Sequence, residues 1–272
     1  MEADSFSYGN LIMHFTRIGE RHSPDGSLKP VLLLFHGFGQ QEKQLFALTN
    51  QLLDTYCCYC FTLPYHGKGS RWKGSEPINK ALLANWYKAF LQSINCTKAS
   101  LFGFSIGARF ALSLTTEVPE KVEALYLASP DGIAFQPIYS FATSTKIGRS
   151  IFKYLVFKPK LLFNIIQIAH NLKLADLPLL KFVSNQMNSR PKRWLVYQSW
   201  IQFSQLKATT IALKQTTKNY TIPIFIALAK TDKIIEKNKL APYLNKLNLT
   251  KFLVIECSHN QLLNRCHTLF KS

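Results

Sequence analysis

Residues 101–110 read LFGFSIGARF. An apolar run gives way here to a helical pattern, and at the changeover Ser105 stands between Gly103 and Gly107, in the spacing G-x-S-x-G. A strand that turns sharply into a helix lifts the intervening side chain clear of the sheet, and small flanking residues let the two elements approach closely. A serine at such a point is placed to act as a nucleophile. Its hydroxyl is weak at neutral pH, however, and needs a base for its proton, an acid to orient that base, and donors for the oxyanion. The spacing alone is common by chance, so the remainder of the chain decides.

Six runs rich in Val, Ile, Leu, Phe and Cys read as strands covered on both faces: PVLLLF (30–35), YCCYCFTL (56–63), ASLFGF (99–104), VEALYLA (122–128), IPIFIALA (222–229) and KFLVIEC (251–257). Between most of them lie segments with helical spacing, such as QEKQLFALTNQLLD, INKALLANWYKAFLQSI and GARFALSLTTEV. This alternation predicts an α/β fold, a mostly parallel central sheet with helices on both faces. It breaks after Ser129. From Ile133 to about Tyr220, aromatic and aliphatic residues recur at helical spacing, with prolines at 137, 159, 178 and 191 as breakers. The expected organisation is a core formed by 1–132 and 220–272, carrying a helical insertion over 133–219.

The loop after PVLLLF reads FHGFG (35–39). Its glycines permit a tight turn that aims backbone amides inward, which makes the N–H of Phe38 one candidate oxyanion donor and that of Ile106, at the helix start, the other. Gly-rich loops after strands also bind phosphate, but no G-K-S/T follows. Among seven histidines, His259 follows the last expected strand in VIECSHNQLL and is the candidate base. His36 is read as bonding the backbone of its own loop, His66 lies in a turn and His267 on a final helix. His14, His22 and His170 fall outside the loops that converge on one site. For the acid, Asp232 in LAKTDKII directly follows the penultimate strand, and Asp131 in ASPDG is its competitor. The chain order Ser, Asp, His favours Asp232. Phe104, directly before the serine, is a candidate substrate contact.

A length of 272 residues at 47% hydrophobic content suffices for a full core, as one large domain or a domain with an insertion. Six cysteines are few for this length, and MEADSFSYGN has neither the basic start nor the apolar stretch of a signal peptide, so reduced thiols in a cytoplasmic protein are expected. Cys57 and Cys60 have C-x-x-C spacing inside an apolar strand, whose alternate side chains point to opposite faces, and no second pair supplies further ligands. They read as core cysteines rather than a metal site, and no cofactor is implied. LLFNIIQIA, the longest candidate for a membrane span, is broken by Asn164 and Gln167 and falls far short of the roughly 20 residues a bilayer requires.

The formal charge of +18 is unevenly spread. Between 133 and 219 the chain holds thirteen basic residues, from Lys146 to Lys218, and a single acid, Asp176, so about one third of the chain carries +12. Such a local field concerns partners. The phosphates of an acyl carrier or acyl-CoA, a peripheral contact with an anionic membrane, and a merely solvated surface all fit it. Nucleic acid is disfavoured, because no recognised module is present and charge alone gives only non-specific affinity.

With these residues placed, the chain resembles the α/β-hydrolase superfamily over essentially its whole length. HGFG matches the oxyanion loop, LPYHGKGS (63–70) is similar to the family's D-x-P-G-H-G-x-S segment, GFSIG matches the nucleophile elbow, VPEKVEALYLASP leads to the cap, and TDKII and SHNQLL follow in order. In the second of these Tyr65 replaces the usual glycine, Leu63 precedes Pro64, and no aspartate is present. The resemblance implies an α/β-hydrolase fold with a helical cap insertion. It also implies a mechanism in which Ser105 attacks an acyl carbonyl, His259 shuttles the proton and water releases an acyl-enzyme. Ser105 argues against the aspartate nucleophile of the dehalogenases and epoxide hydrolases of this fold. GFSIGARFAL is similar, too, to the elbow of the menaquinone-pathway synthases, which carry an arginine where this chain has Arg109; there it would help hold a substrate carboxylate. The plainer reading of Arg109 is a helix arginine paired with a nearby carboxylate.

The expected function is therefore a serine hydrolase cleaving a carboxylic ester or thioester of an apolar acyl group. A lyase or C–C bond hydrolase acting on an anionic metabolite is the alternative, and a non-catalytic binding protein on the same scaffold a third, since one fold hosts many functions.

Overall fold

The computed structural model describes residues 1–134, 137–171, 185 and 187–271. Its strands are β1 (Glu2–Tyr8), β2 (Leu11–Ile18), β3 (Val31–Phe35), β4 (Cys57–Phe61), β5 (Arg71–Trp72), β6 (Ala99–Phe104), β7 (Val122–Ala128), β8 (Ile224–Ala229) and β9 (Lys251–Ile255). All six expected strands are among them. They form one nine-stranded sheet of order β1-β2-β4-β3-β6-β7-β8-β9, with β5 against β2. From β4 to β9 every pairing is parallel, while β1 pairs with β2, and β2 with β4, antiparallel. Strands β3, β4 and β6 are buried along their whole length, which is why their sequences are continuous apolar runs rather than alternations.

The hairpin of β1 and β2 was not among the expected strands. β1 is almost wholly exposed and lacks an apolar run. Its signal is the two-residue Gly9-Asn10 loop that sets Tyr8 opposite Leu11, with Gly9 at φ 56°, a conformation glycine adopts freely. QEKQLFALTNQLLD, read as one helix, is instead a 3-10 turn over Glu42–Leu45 and a single helical turn over Phe46–Thr49. There the Phe46 carbonyl accepts both the Asn50 N–H at 2.9 Å and the Thr49 hydroxyl at 3.1 Å. The helix Lys80–Ser93 starts where Asn79 caps it by accepting the Leu82 N–H at 2.8 Å.

That helix places Trp86 and Phe90 against Phe61 of β4, at ring-centroid distances of 5.1 and 5.0 Å, and this aromatic cluster fills one side of the sheet. On another part of the core Leu32, Leu34, Cys58, Cys60 and Phe102 pack together. Cys57, Cys58 and Cys60 all lie buried in β4, and burial pushes the Cys58 thiol up to about 12. They are packing residues.

Two compact units divide the chain, Met1–Ala134 with Gln205–Ser272, and Phe135–Ser204. The sequence reading carried the helical insertion to 219. In the structure the helix Thr210–Asn219 belongs to the sheet unit, turning Thr210, Leu213 and Thr217 inward at steps of three and four and packing on the helix Ala108–Glu117. The second unit contains the helices Pro137–Ser144, Lys146–Phe157, Pro159–Asn171 and Arg190–Gln202. Prolines 137, 159 and 191 fall at the first or second positions of these helices, where a missing N–H costs nothing. Within it Phe152 stacks on Trp200 at 5.4 Å and the Tyr139 hydroxyl donates to the Trp200 carbonyl at 2.9 Å. Lys173, Asp176, Pro178 and Lys181 lie outside the described residues. Among the described residues, no helix is long and apolar enough to cross a membrane.

In the sheet, Phe35 pairs with Gly103, Phe104 with Ala128, Ala128 with Ala227, and Ala229 with Ile255. The loops after β3, β6, β7, β8 and β9 therefore leave one edge of the sheet side by side, which is where open α/β sheets bind ligands.

Candidate active site

Ser105 directly follows β6 and opens a 3-10 turn, Ser105–Gly107, that runs into the helix Ala108–Glu117. Its φ of 52° is left-handed, a conformation that costs a non-glycine residue roughly 1–2 kcal/mol and that persists where the surroundings enforce it. The surroundings here are backbone. A Cβ on Gly107 would lie 2.3 Å from the Phe35 carbonyl oxygen and 2.5 Å from that of His36, and one on Gly103 would lie 2.5 Å from Ala108 Cα. Only glycine lets the turn press against the end of β3. The Ser105 carbonyl also accepts the Asp131 N–H at 3.1 Å, which ties the turn to the loop after β7.

The neighbouring FHGFG loop is fixed by His36. This residue is fully buried; its Nε2 accepts the Leu63 N–H at 3.0 Å, so Nδ1 carries the proton and donates to the Gly37 carbonyl at 2.7 Å. Burial first, and then the adjacent His66, hold its pKa well below the usual histidine value, so the ring is neutral. The Gly37 N–H is taken by Gln40 Oε1 at 2.9 Å, and a Cβ on Gly37 would lie 2.8 Å from the Phe104 ring. Phe38 follows this clamp. Its ring meets His66 edge-on at 5.5 Å, and His66, pushed down to about 4 by burial, bonds the Pro64 carbonyl through Nδ1. In the same segment Tyr65 adopts φ 71°, in the left-handed region that favours glycine.

His259 begins a short helix after β9 and bonds Asp232, in the loop after β8, at 2.7 Å between Nδ1 and Oδ2. The carboxylate is buried and receives three further bonds. Ser129 Oγ donates to Oδ2 at 2.7 Å, and the N–H groups of Ile234 and Ile235 donate to Oδ1 at 2.9 and 2.8 Å. A carboxylate has about four acceptor sites, and all are used. Burial alone would raise the Asp232 pKa, but the bond and charge of His259, with the Ile235 and Ser129 bonds, outweigh it and hold the group below its ordinary value. With Nδ1 committed to the carboxylate, Nε2 is the nitrogen that can take a proton. The Phe104 ring lies 4.9 Å from the imidazole and braces it.

Asp131, the competing acid, is engaged elsewhere. Arg109 forks onto it, Nε to Oδ2 at 2.7 Å and Nη2 to Oδ1 at 3.1 Å, with the arginine side chain only 5% exposed. Phe104 is likewise buried. Ser129 was missed by sequence reasoning; it directly follows β7 at φ 40°. Among the described residues, no three His, Cys, Asp or Glu side chains are disposed to hold a metal ion.

A family model described as alpha/beta hydrolase fold matches residues 30–265. Over 113 residues the chain is 31% identical to the dihydrolipoyllysine-residue acetyltransferase component of the acetoin cleaving system of Cupriavidus necator, covering 41% of this chain and 29% of that protein. The chain spans about a quarter to a third of the length of the curated relatives it matches. Similar solved structures include a thermophilic esterase from Thermogutta terrifontis (TM-score 0.66, 14% identity, 99% of this chain and 95% of that one). A hydrolase from Pseudomonas aeruginosa has a TM-score of 0.64 at 14% identity, over 99% of this chain and 98% of that one. At such identities the likeness is one of fold.

Proposed function

The chain belongs to the alpha/beta hydrolase fold family, and from that premise we propose that it is a serine hydrolase cleaving a carboxylic ester or thioester of an apolar acyl group. The observation that carries the reading is the 2.7 Å bond from His259 to a carboxylate saturated by four donors, at the sheet edge from which the left-handed Ser105 also emerges.

In this reading Ser105 Oγ attacks the acyl carbon and passes its proton to His259 Nε2. Asp232 holds the ring in the tautomer that leaves Nε2 basic and stabilises the imidazolium once it forms. The N–H groups of Ile106 and Phe38 receive the oxyanion, on a loop and a turn whose glycines leave no slack. The imidazolium returns its proton to the departing alcohol or thiol. Water, deprotonated by the same nitrogen, then attacks the acyl-enzyme and restores the Ser105 hydroxyl. The residues flanking the serine and the loop, Phe38, Phe104 and Ile106, are apolar and favour an uncharged acyl group. The six cysteines, each a free thiol, suit a reducing compartment such as the cytoplasm.

A lyase or C–C hydrolase gripping a substrate carboxylate through Arg109 draws less support, because that guanidinium forks onto Asp131. A fluorophosphonate probe read by intact mass tests the proposal. Wild-type protein is expected to gain one label and Ser105→Ala none. Equal labelling of both, or of neither, would defeat the assignment of Ser105.

A further inference from the structure

The helical unit carries features that chemistry at Ser105 does not employ. Helix Lys146–Phe157 turns Gly148 and Val156 inward and leaves Ile147, Ile151 and Tyr154 exposed. Their spacing of four and then three puts them in one stripe, with Ile147 71% and Tyr154 57% exposed. Lys146 and Lys153 share the adjacent stripe, and Lys158 lies just past the helix end. Helix Pro159–Asn171 repeats the pattern: Leu161 and Ile168, seven residues apart, are exposed beside Lys160, Asn164 and Gln167. One exposed aliphatic is ordinary, whereas three large apolar side chains in a single stripe, with two more exposed on the helix packed against it, are not.

The charges of this unit are placed against its own stability. Helices Lys146–Phe157, Pro159–Asn171 and Arg190–Gln202 have no acid in the first turn and instead carry Lys146, Lys160, and Arg190 with Lys192 and Arg193 there. The first turn is the positive end of the helix dipole, where carboxylates stabilise and cations do the reverse. Across residues 135–204 the sequence has one acid, Asp176, to ten basic residues. Lys192 and Arg193 serve the fold, donating to the Asn185 and Met187 carbonyls at 3.1 and 2.9 Å. For the exposed Lys146 and Lys160 an anionic partner supplies a reason, because these lysines and the dipole ends then act in the same direction.

We propose that the face formed by Lys146–Ile168 docks on an anionic lipid surface. Ile147, Ile151 and Tyr154 enter the boundary between headgroups and acyl chains, and Lys146, Lys153, Lys158 and Lys160 meet the lipid phosphates. A nucleic acid would use the lysines and leave the aliphatic stripe in water, so charge and apolarity together select lipid. Helices of twelve and thirteen residues lie in such an interface rather than span it. The proposal depends on the helical unit alone and holds whatever Ser105 does.

Flotation of the full chain with vesicles tests it, using phosphatidylcholine alone and phosphatidylcholine with about 30% phosphatidylglycerol. At low salt the anionic vesicles are expected to bind at least about tenfold more protein than the neutral ones, and near 0.5 M salt that preference should collapse. Ile147→Ser/Ile151→Ser/Tyr154→Ser and, separately, Lys146→Glu/Lys153→Glu should each lower partitioning about tenfold or more, with melting temperatures checked to show that both variants fold. Ile147→Ser alone serves if the triple variant does not. Ile211→Ser, an equally exposed isoleucine of the sheet unit, should bind as wild type. Equal binding to neutral and anionic vesicles overturns the proposal, as does an anionic preference that survives the Ile147 substitutions. Binding to a single-stranded oligonucleotide that is lost only in the lysine variant, with vesicles unbound, would overturn it in favour of nucleic acid.

Discussion

The loops at the carboxyl ends of β6 to β9 and the helices of residues 135–204 treat charge in opposite ways. In the first region every buried charge has its counterpart: Asp232 receives four donors, and Arg109 meets Asp131 with two parallel bonds. In the second, ten basic residues share a stretch of sequence with one acid, and the helices begin with the wrong sign. A buried charge without a partner costs several kcal/mol, so the first region had to be assembled from residues that meet only in the fold. An exposed charge costs tenths, which leaves the second region free to be shaped by something outside the molecule.

The sharpest way to break this contrast is Asp232→Asn. If the paired carboxylate orients His259, the substitution should lower kcat for an activated ester by about 10⁴-fold while the chain stays folded. It should also change the acid limb of stability. Because the Asp232 pKa is lowered by folding, the unfolded chain takes up the proton first. Its contribution is therefore complete above the ordinary carboxyl value of 3.8 and is lost as pH falls through the lower folded value. Urea unfolding of the Asn variant should lack that acid-side loss, and an unchanged slope would show that the carboxylate is not coupled to folding.

Arg109→Ala should act through stability instead. Its side chain is 5% exposed and that of Asp131 21%, so removing one partner is expected to cost about 3 kcal/mol in urea unfolding, with kcat/KM changed less than about tenfold. The double variant with Asp131→Ala should cost less than the sum of the two single changes. Intact stability with activity abolished would point instead to Arg109 gripping substrate.

Ser129→Ala removes one of the two donors to Asp232 Oδ2 and should cost about 2 kcal/mol, in the range for a hydrogen bond to a charged group. Its other readout is the pH profile of stability. With one donor lost, the folded Asp232 pKa rises toward its ordinary value, so the loss of stability on acidification should be smaller than in wild type. A profile identical to wild type would leave Ser129 a packing residue only.

The same contrast explains what could be read without coordinates. Strands β3, β4 and β6 are apolar runs because both their faces are covered, and β7 and β8 nearly so. β9, read as covered on both faces too, is the edge strand of the sheet and leaves Phe252 and Val254 exposed. The sheet order then brings the loops holding Ser105, Asp232 and His259 to one edge. Asp232 could be preferred over Asp131 by chain order, yet only coordinates show why Asp131 is withheld: Arg109, one turn past the elbow, reaches it first. Ser129 was invisible because its role rests on a contact spanning 103 residues. β1 was missed because an exposed edge strand has no apolar pattern to announce it. The segment Gln41–Asp54 has the periodicity of a helix yet forms only two short turns, because apolar spacing marks which side chains face the core and not how far the helix runs.

The smallest expected effect carries the opposite sign from the others. Lys146 is the first residue of its helix, three positions from Arg149, and Thr145 caps the helix by accepting the Gly148 N–H at 2.9 Å. Glutamate at this position would complement the dipole and remove a like-charge pair, so Lys146→Glu should raise stability by about 0.5 kcal/mol. The same change is half of the variant expected to weaken binding to anionic vesicles. Gaining stability while losing the partner is what a residue selected for an external surface should do, because selection then tolerates a local cost to folding. If Lys146→Glu instead destabilised the chain in urea unfolding, Lys146 would be meeting a carboxylate in the fold. The two regions would then obey one rule of paired charge rather than two.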